Sequence, residues 1–189
     1  MIGNLCLFSL TFGTKLDDFD KMKPIRAKMH EIDTFDRKLL ECLQFDGRMT
    51  LSDLADKVGL SSSPCLRRIR MLEHSGIIAR YVALVDQKKV GLPVSVFVSI
   101  KLENQRKGVL ERFAKAIASW PEVLECYLMT GPRDYLIRIV VADLEAYEQF
   151  LKEKLTRLEG IASIESSFAL QQVKYTNVLP IRNTPSAIP

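Results

Sequence analysis

Residues 50–76, TLSDLADKVGLSSSPCLRRIRMLEHSG, restrict what this chain can fold into more than any other stretch. Leu51, Leu54, Ala55 and Val58 fall on one stripe of a short helix. Thr50 has the chemistry to cap its start, with Asp53 three residues on. Gly59 then admits the left-handed backbone that a sharp turn demands. Ser61-Ser62-Ser63-Pro64 opens a further helix, with Ser62 or Ser63 expected as its cap and Pro64 in its first turn. Leu66, Ile69, Leu72 and, less strictly, Cys65 are expected to face inward. Arg67, Arg68 and Arg70 are then expected to fan over the outer arc until Gly76 ends the helix.

A longer helix precedes this pair. In IDTFDRKLLECLQFDGR, Phe35, Leu39, Leu40 and Leu43 follow the helical period, Asp33 or Thr34 is the expected cap, and Asp46-Gly47 ends it. After Gly76, IIARYVALVD reads as a strand with a strand return through 82–85. Helix, short helix, glycine turn, basic helix and strand is the order of a winged helix-turn-helix, assigned here to residues 31–91. Small residues at 61–63 let the helix N-terminus approach phosphates and base edges closely, where its N–H groups and dipole favour an anion. The arginines can reach phosphates or pair with guanine.

Charge is distributed in the same sense. The net charge is +4, and residues 61–102 hold seven Lys/Arg against two Asp/Glu, whereas residues 1–60 and 103–160 each hold nine against ten. A basic segment in an otherwise balanced chain is the footprint of a polyanion-binding element. On charge alone the alternative is a solvated basic face, and on helix order alone it is a three-helix cap on an enzyme.

KKVGLPV, residues 88–94, is a hinge punctuated by Gly and Pro. Beyond it, VSVFVSIKLE alternates as a strand, and KGVLERFAKAIASW places Val109, Leu110, Phe113, Ile117 and Trp120 on one helical side before Pro121. VLECYLMTG and DYLIRIVVAD are strands joined at Gly131-Pro132-Arg133. LEAYEQFLKEKLTRLEG is a second amphipathic helix, and IASIESSFALQQVKY is a long last strand. The order is βαββαβ, the ferredoxin-like plan, over residues 92–179. The fold class is therefore α+β. Such a sheet leaves one face without helices. Phe97, Leu128 and Ile137 are expected there, and an apolar open face is a surface for a second copy of the chain. A dimer would set two basic helices at the spacing of a two-fold DNA site. Residues 1–30 are expected as a poorly ordered extension and residues 180–189 as a disordered tail.

Little in the chain suggests catalysis. There is no GxSxG, P-loop or GxGxxG, and no Cys/His pair at a catalytic spacing. Asp134 in its turn can be read as a general base, as a structural turn residue, or as a ligand for an amino group beside the N–H groups at Gly131, which together would suit a zwitterion. Cys6, Cys42, Cys65 and Cys126 are scattered without a CxxC, and His30 and His74 lie far apart, so neither zinc nor another cofactor is expected. Reduced thiols and no long apolar run point to the cytoplasm and away from a membrane.

LSSSPCLRRIRMLEHSGII, ECYLMTGPRDYLIRI and FALQQVKY together resemble the Lrp/AsnC family of transcription regulators, in both halves and in the right order over roughly residues 31–180. The resemblance implies a DNA-binding domain followed by a RAM domain. It further implies dimers that build octamers or tetramers, and a small effector, usually an amino acid, at the turn between the second and third strands of that domain. Carried onto this chain, Ser61, Ser62, Ser63, Pro64, Arg67, Arg68 and Arg70 stand in the recognition helix. Met129, Thr130, Gly131, Asp134, Tyr135 and Leu136 stand in the effector loop. Pro132-Arg133 departs from the pattern, placing positive charge where relatives carry an acidic residue. The expected function is a sequence-specific regulator of amino-acid metabolism acting on double-stranded DNA, with an architectural, DNA-wrapping protein as the alternative.

Overall fold

The computed structural model describes residues 31–181, so the expectations for residues 1–30 and 182–189 fall outside the described part of the chain. The N-terminal unit is three helices: α1 (Thr34–Phe45), α2 (Leu51–Val58) and α3 (Ser62–His74). Asp33 caps α1 by accepting from the Asp36 amide at 2.9 Å, while Asp36 accepts from the Asp33 amide at 3.2 Å, a reciprocal capping box. Thr50 caps α2 through the Asp53 amide. Gly59 closes α2 at φ +79°, its N–H donating to the Ala55 carbonyl at 2.9 Å. A residue with a Cβ would be strained there.

Leu39, Leu54, Val58, Cys65, Ile69 and Leu72 are the buried centre of the three helices. Burying each of the larger side chains contributes roughly 1.5–3 kcal/mol. Cys65, not Leu66, takes the inward position on α3; Leu66 is half-buried. The cap of α3 is Ser61 instead of Ser62 or Ser63, and no side chain hydrogen-bonds the free amides of its first turn. The expected wing strands do not form. Residues 79–86 take no regular structure, and Val82, Leu84 and Val85 are exposed. Tyr81 is tied down, donating its hydroxyl to Glu73 at 3.1 Å with its ring beside Gly47, and Asp86 accepts from the Lys88 amide at 3.0 Å. A strand needs a partner ladder, and no described strand lies alongside this segment.

The C-terminal unit comprises β1 (Val94–Leu102), α4 (Lys107–Ala118), β2 (Val123–Leu128), β3 (Tyr135–Val141), α5 (Leu144–Phe150) and β4 (Ile161–Phe168). The sheet is antiparallel in the order β2-β3-β1-β4. The second amphipathic helix is not continuous: α5 passes into one π-helical turn, Leu151–Leu155, in which the Thr156 amide donates to the Leu151 carbonyl. The last strand stops at Phe168 instead of running to Tyr175. Val96 pairs with Phe168 and the Ala169 amide donates to Ser95; beyond that β1 has almost no backbone left to offer.

Alternating residues of β1 and β3 (Val96, Val98, Ile100, Tyr135, Ile137, Ile139) pack beneath Phe113, Ile117, Tyr147 and Phe150 of the helices. Ile137 is therefore fully buried on the helical side, not on the open face as expected. Leu128 pairs with Tyr135 and shares that side, at the exposed edge of β2. The open face carries Phe97, Tyr127 and Leu136 among Ser99, Lys101, Glu125, Arg138 and Glu165, and is mixed in character. Alternation within one strand sorts its residues into two sets; the pairing register decides which set joins which.

Two connections tie the units together. The linker lies against the sheet, where Gln87 donates to Ser95 at 3.0 Å and accepts from Arg138 at 3.2 Å. The chain also returns to α1. The Leu179 amide donates to the Gln44 carboxamide at 2.6 Å, Gln44 donates back to the Leu179 carbonyl at 3.3 Å, and Ile181 packs against the three-helix core. Leu179 and Ile181 are thus held against the three-helix unit.

Candidate functional site

The turn at Gly59 sets the start of α3 on the surface. Ser61, Ser62 and Ser63 are exposed and Pro64 is half-buried. Pro64 has no N–H to satisfy, and the uncapped amides before it stay open to an incoming acceptor. Ser63, Arg67 and Arg70 are spaced four and three residues apart, so they share one helical face. Arg67 and Arg70 are exposed and have no ion-pair partner among the described residues. This face offers hydroxyls, amide N–H groups and two exposed guanidinium groups to an anionic ligand.

Arg68 points elsewhere. One nitrogen of its guanidinium lies 2.7 Å from Asp33 and 2.8 Å from Asp36, and the group stacks over the Phe35 ring at 5.4 Å from its centroid. Its side chain is 22% exposed and that of Asp36 only 1%. The expectation that Arg68 fans outward is therefore corrected: it clamps α3 to the capped start of α1. Burial raises the Asp33 carboxyl, but the Asp36 amide and Arg68 outweigh it and hold the group below the usual carboxylate range. Asp36 was missed as a functional partner from the sequence. Its signal was the Asp33-x-x-Asp36 box, which reads as a cap and says nothing of a third group joining it.

The loop before β3 divides its residues in the same way. Met129, Thr130 and Gly131 are exposed, with Gly131 at φ +113°. Asp134 is buried, 7% exposed; it accepts from the Leu102 amide at 2.7 Å and from Gln105 at 2.6 Å. Of the three readings of Asp134, this geometry fits the structural one. Tyr135 turns into the core and stacks on Phe113 at 4.3 Å, while Leu136 lies on the open face. Arg133 crosses β1 to reach β4, donating to Ser163 at 2.9 Å and pairing with Glu165 at 2.6 Å. Gln105, Ser163 and Glu165 had no sequence signal, because each meets the loop only through the sheet. Surface depressions lie beside Leu158, Ser163 and Ile164 and beside Asp46 and Asp53.

Comparison with known proteins defines the class. A profile for winged helix-turn-helix DNA-binding matches residues 32–79, and one for the Lrp/AsnC ligand binding domain matches residues 95–179. The Bkd operon transcriptional regulator of Pseudomonas aeruginosa is 45% identical over 153 residues, covering 81% of this chain and all of that protein. Among solved structures, an AsnC family transcriptional regulator from Agrobacterium tumefaciens is 47% identical at a TM-score of 0.75, covering 78% of this chain and 96% of its own. A transcriptional regulator from Neisseria meningitidis, solved as a complex with L-Met, is 38% identical at a TM-score of 0.76, covering 79% and 97%. The chain belongs to the Lrp/AsnC family of transcriptional regulators. It pairs a winged helix-turn-helix DNA-binding domain with an Lrp/AsnC ligand binding domain.

Proposed function

We propose that this protein is a sequence-specific regulator of genes of amino-acid metabolism, whose DNA binding responds to a small carboxylate effector of the amino-acid class held at residues 129–136. The observation that carries the DNA reading is the exposed start of α3: an uncapped first turn, three serines, and Arg67 and Arg70 on one face without internal partners. Arg67 and Arg70 contact DNA, with Ser61, Ser62 and Ser63 at the phosphates and Pro64 shaping the first turn. Arg68 acts as a positioning residue that sets the angle of α3 against α1. Met129, Thr130 and Gly131 form the accessible part of the effector loop, and Asp134 and Tyr135 anchor it from beneath. The L-Met complex of the meningococcal relative supports an effector of this class.

The working unit is a homodimer or a higher assembly of dimers. Tyr81, Val82, Leu84 and Val85 are exposed in the linker, and Leu170, Val173 and Tyr175 after β4. Apolar segments of extended chain exposed on this scale suit a second copy. Met129, Thr130 and Gly131 are exposed, in keeping with a site completed by another subunit. An effector regulates only if it binds one assembly or hinge state better than another.

The test is fluorescence anisotropy on DNA from upstream of the protein's own gene, against excess random competitor at near-physiological salt, with and without an amino-acid mixture. Competitor-resistant binding that shifts with the mixture is expected. Binding that the competitor abolishes would favour an architectural protein that wraps DNA without sequence choice. Light scattering on the eluted protein gives the subunit number.

A further inference from the structure

The exposed row on α3 is longer than its two arginines. Ser63, Arg67, Arg70 and His74 follow one another at four, three and four residues, so they form one stripe roughly 16 Å long. At 3.6 residues per turn, Arg68 and Glu73 stand on opposite flanks of that stripe. On one flank, Arg68 is tied to Asp33 and Asp36 of α1. On the other, the chain leaving α3 is fastened at two points. Gly76 turns at φ +74°, the Ile78 amide donates to the Leu72 carbonyl at 3.1 Å, and the Ile78 side chain packs against the three-helix core. Three residues on, the Tyr81 hydroxyl donates to Glu73, and the Tyr81 ring lies 3.3 Å from where a Cβ on Gly47 would stand.

Arg80 lies between these two anchors. It is exposed, and its guanidinium makes no ion pair or hydrogen bond among the described residues. Its Cα is about 3.8 Å from that of Tyr81, so the bond between Tyr81 and Glu73 keeps Arg80 beside α3. A backbone held on both sides lowers the entropy that a contact through this side chain must overcome. The major groove of DNA is about 12 Å wide, close to the width of a helix with its side chains. A helix seated there fills the groove, and its flanks face the phosphates of the two walls. Glu73 is the one carboxylate in α3, it is exposed, and it would repel those phosphates. The Tyr81 hydroxyl engages one of its oxygens, and Arg80 brings the opposite charge to the same flank.

We propose that Arg80 is a DNA contact outside α3, placed by Tyr81 against a phosphate of the groove wall on the Glu73 side. Tyr81 is a positioning residue: its hydroxyl acts on DNA only through the place it gives Arg80. A phosphate carries no sequence information, so this contact strengthens binding to every duplex and fixes how α3 lies in the groove. This inference rests on the reading of α3 as the helix that meets DNA.

The experiment is fluorescence anisotropy on the full-length protein over a range of salt, with two probes: the duplex from upstream of its own gene and a random-sequence duplex. Arg80→Ala should weaken binding to both by about fivefold and lower the slope of log affinity against log salt by about one. Arg80→Lys keeps the charge and should restore that slope. Tyr81→Phe keeps the ring and removes the hydroxyl; it should weaken binding about twofold in the parent and not at all in the Arg80→Ala background. Thermal unfolding of Arg80→Ala should match the parent, since the side chain is exposed. Unchanged affinity and slope in Arg80→Ala, with the parent bound to DNA, overturns the proposal and leaves α3 as the DNA helix. A loss confined to one duplex also overturns it, because Arg80 would then read a base. An equal effect of Tyr81→Phe in both backgrounds removes the positioning role. A parent protein that binds neither duplex even at low salt removes the DNA reading of α3 together with the proposal.

Discussion

Helix α3 and the loop before β3 each present a short charged motif, and the fold divides the two motifs by the same rule with opposite results. In α3, one of three arginines is turned inward to two carboxylates, and the other two remain free. In the loop, Asp134 goes beneath the chain, and Arg133 goes sideways to β4. The α3 face therefore keeps two exposed arginines without an ion-pair partner among the described residues, whereas the loop keeps its arginine paired with Glu165.

Five measurements would break or sharpen that contrast. The largest effect is expected at Asp36. Asp36→Ala leaves the partly buried Arg68 with one exposed partner and should lower the stability of the three-helix unit by about 3 kcal/mol in denaturant unfolding. A loss near zero would mean that Arg68 is free to reach DNA after all. Next come Arg67→Ala and Arg70→Ala. Each should leave unfolding unchanged, weaken DNA binding by about 1–2 kcal/mol, and reduce the slope of log affinity against log salt by about one if the contact is to a phosphate. Arg68→Met, by contrast, should destabilise the fold while leaving that slope nearly unchanged; an equal fall in slope would erase the distinction among the three arginines.

Asp134→Asn is the matching test in the loop. The amide keeps one acceptor where two donors, Leu102 N–H and Gln105, now meet a carboxylate, so stability should fall by about 1–2 kcal/mol. No change in thermal unfolding would return Asp134 to the set of residues free to bind ligand. The smallest effect concerns pH. Asp33 is held below the ordinary carboxylate range, so its contribution is present above the unfolded value of about 3.9 and is lost as pH falls through the lower folded value. Acid unfolding of Asp33→Asn should therefore show a shallower pH dependence below about pH 4 than the parent. An identical acid profile would mean that the α1 cap and Arg68 do not hold Asp33 in its charged form.

The local elements were legible in the chain. The cap at Thr50, the left-handed turn at Gly59, the helical stripe of Leu39 and Leu40 and the alternation of Val96, Val98 and Ile100 are each set by residues within a turn or two of one another. Periodicity and capping are short-range physics, so sequence alone determined the helices, most strand positions and the two-part plan. Within that plan, the exposure of Ser61–Ser63 and of Arg67 and Arg70 followed as well.

What only the tertiary structure decided involves partners distant in sequence. Arg68 meets Asp36 across 32 residues, Gln105 meets Asp134 across 29, Arg133 meets Glu165 across 32, and Leu179 meets Gln44 across 135. Ile137 was misplaced because alternation fixes the two faces of one strand but not how the strands align with each other. The segment 79–86 has the composition of a strand and none of its structure, since a ladder needs a neighbour and the described chain supplies none there. A charged side chain in this protein is a ligand contact or an internal strut according to what the fold brings within 3 Å of it, and no local pattern records that distance.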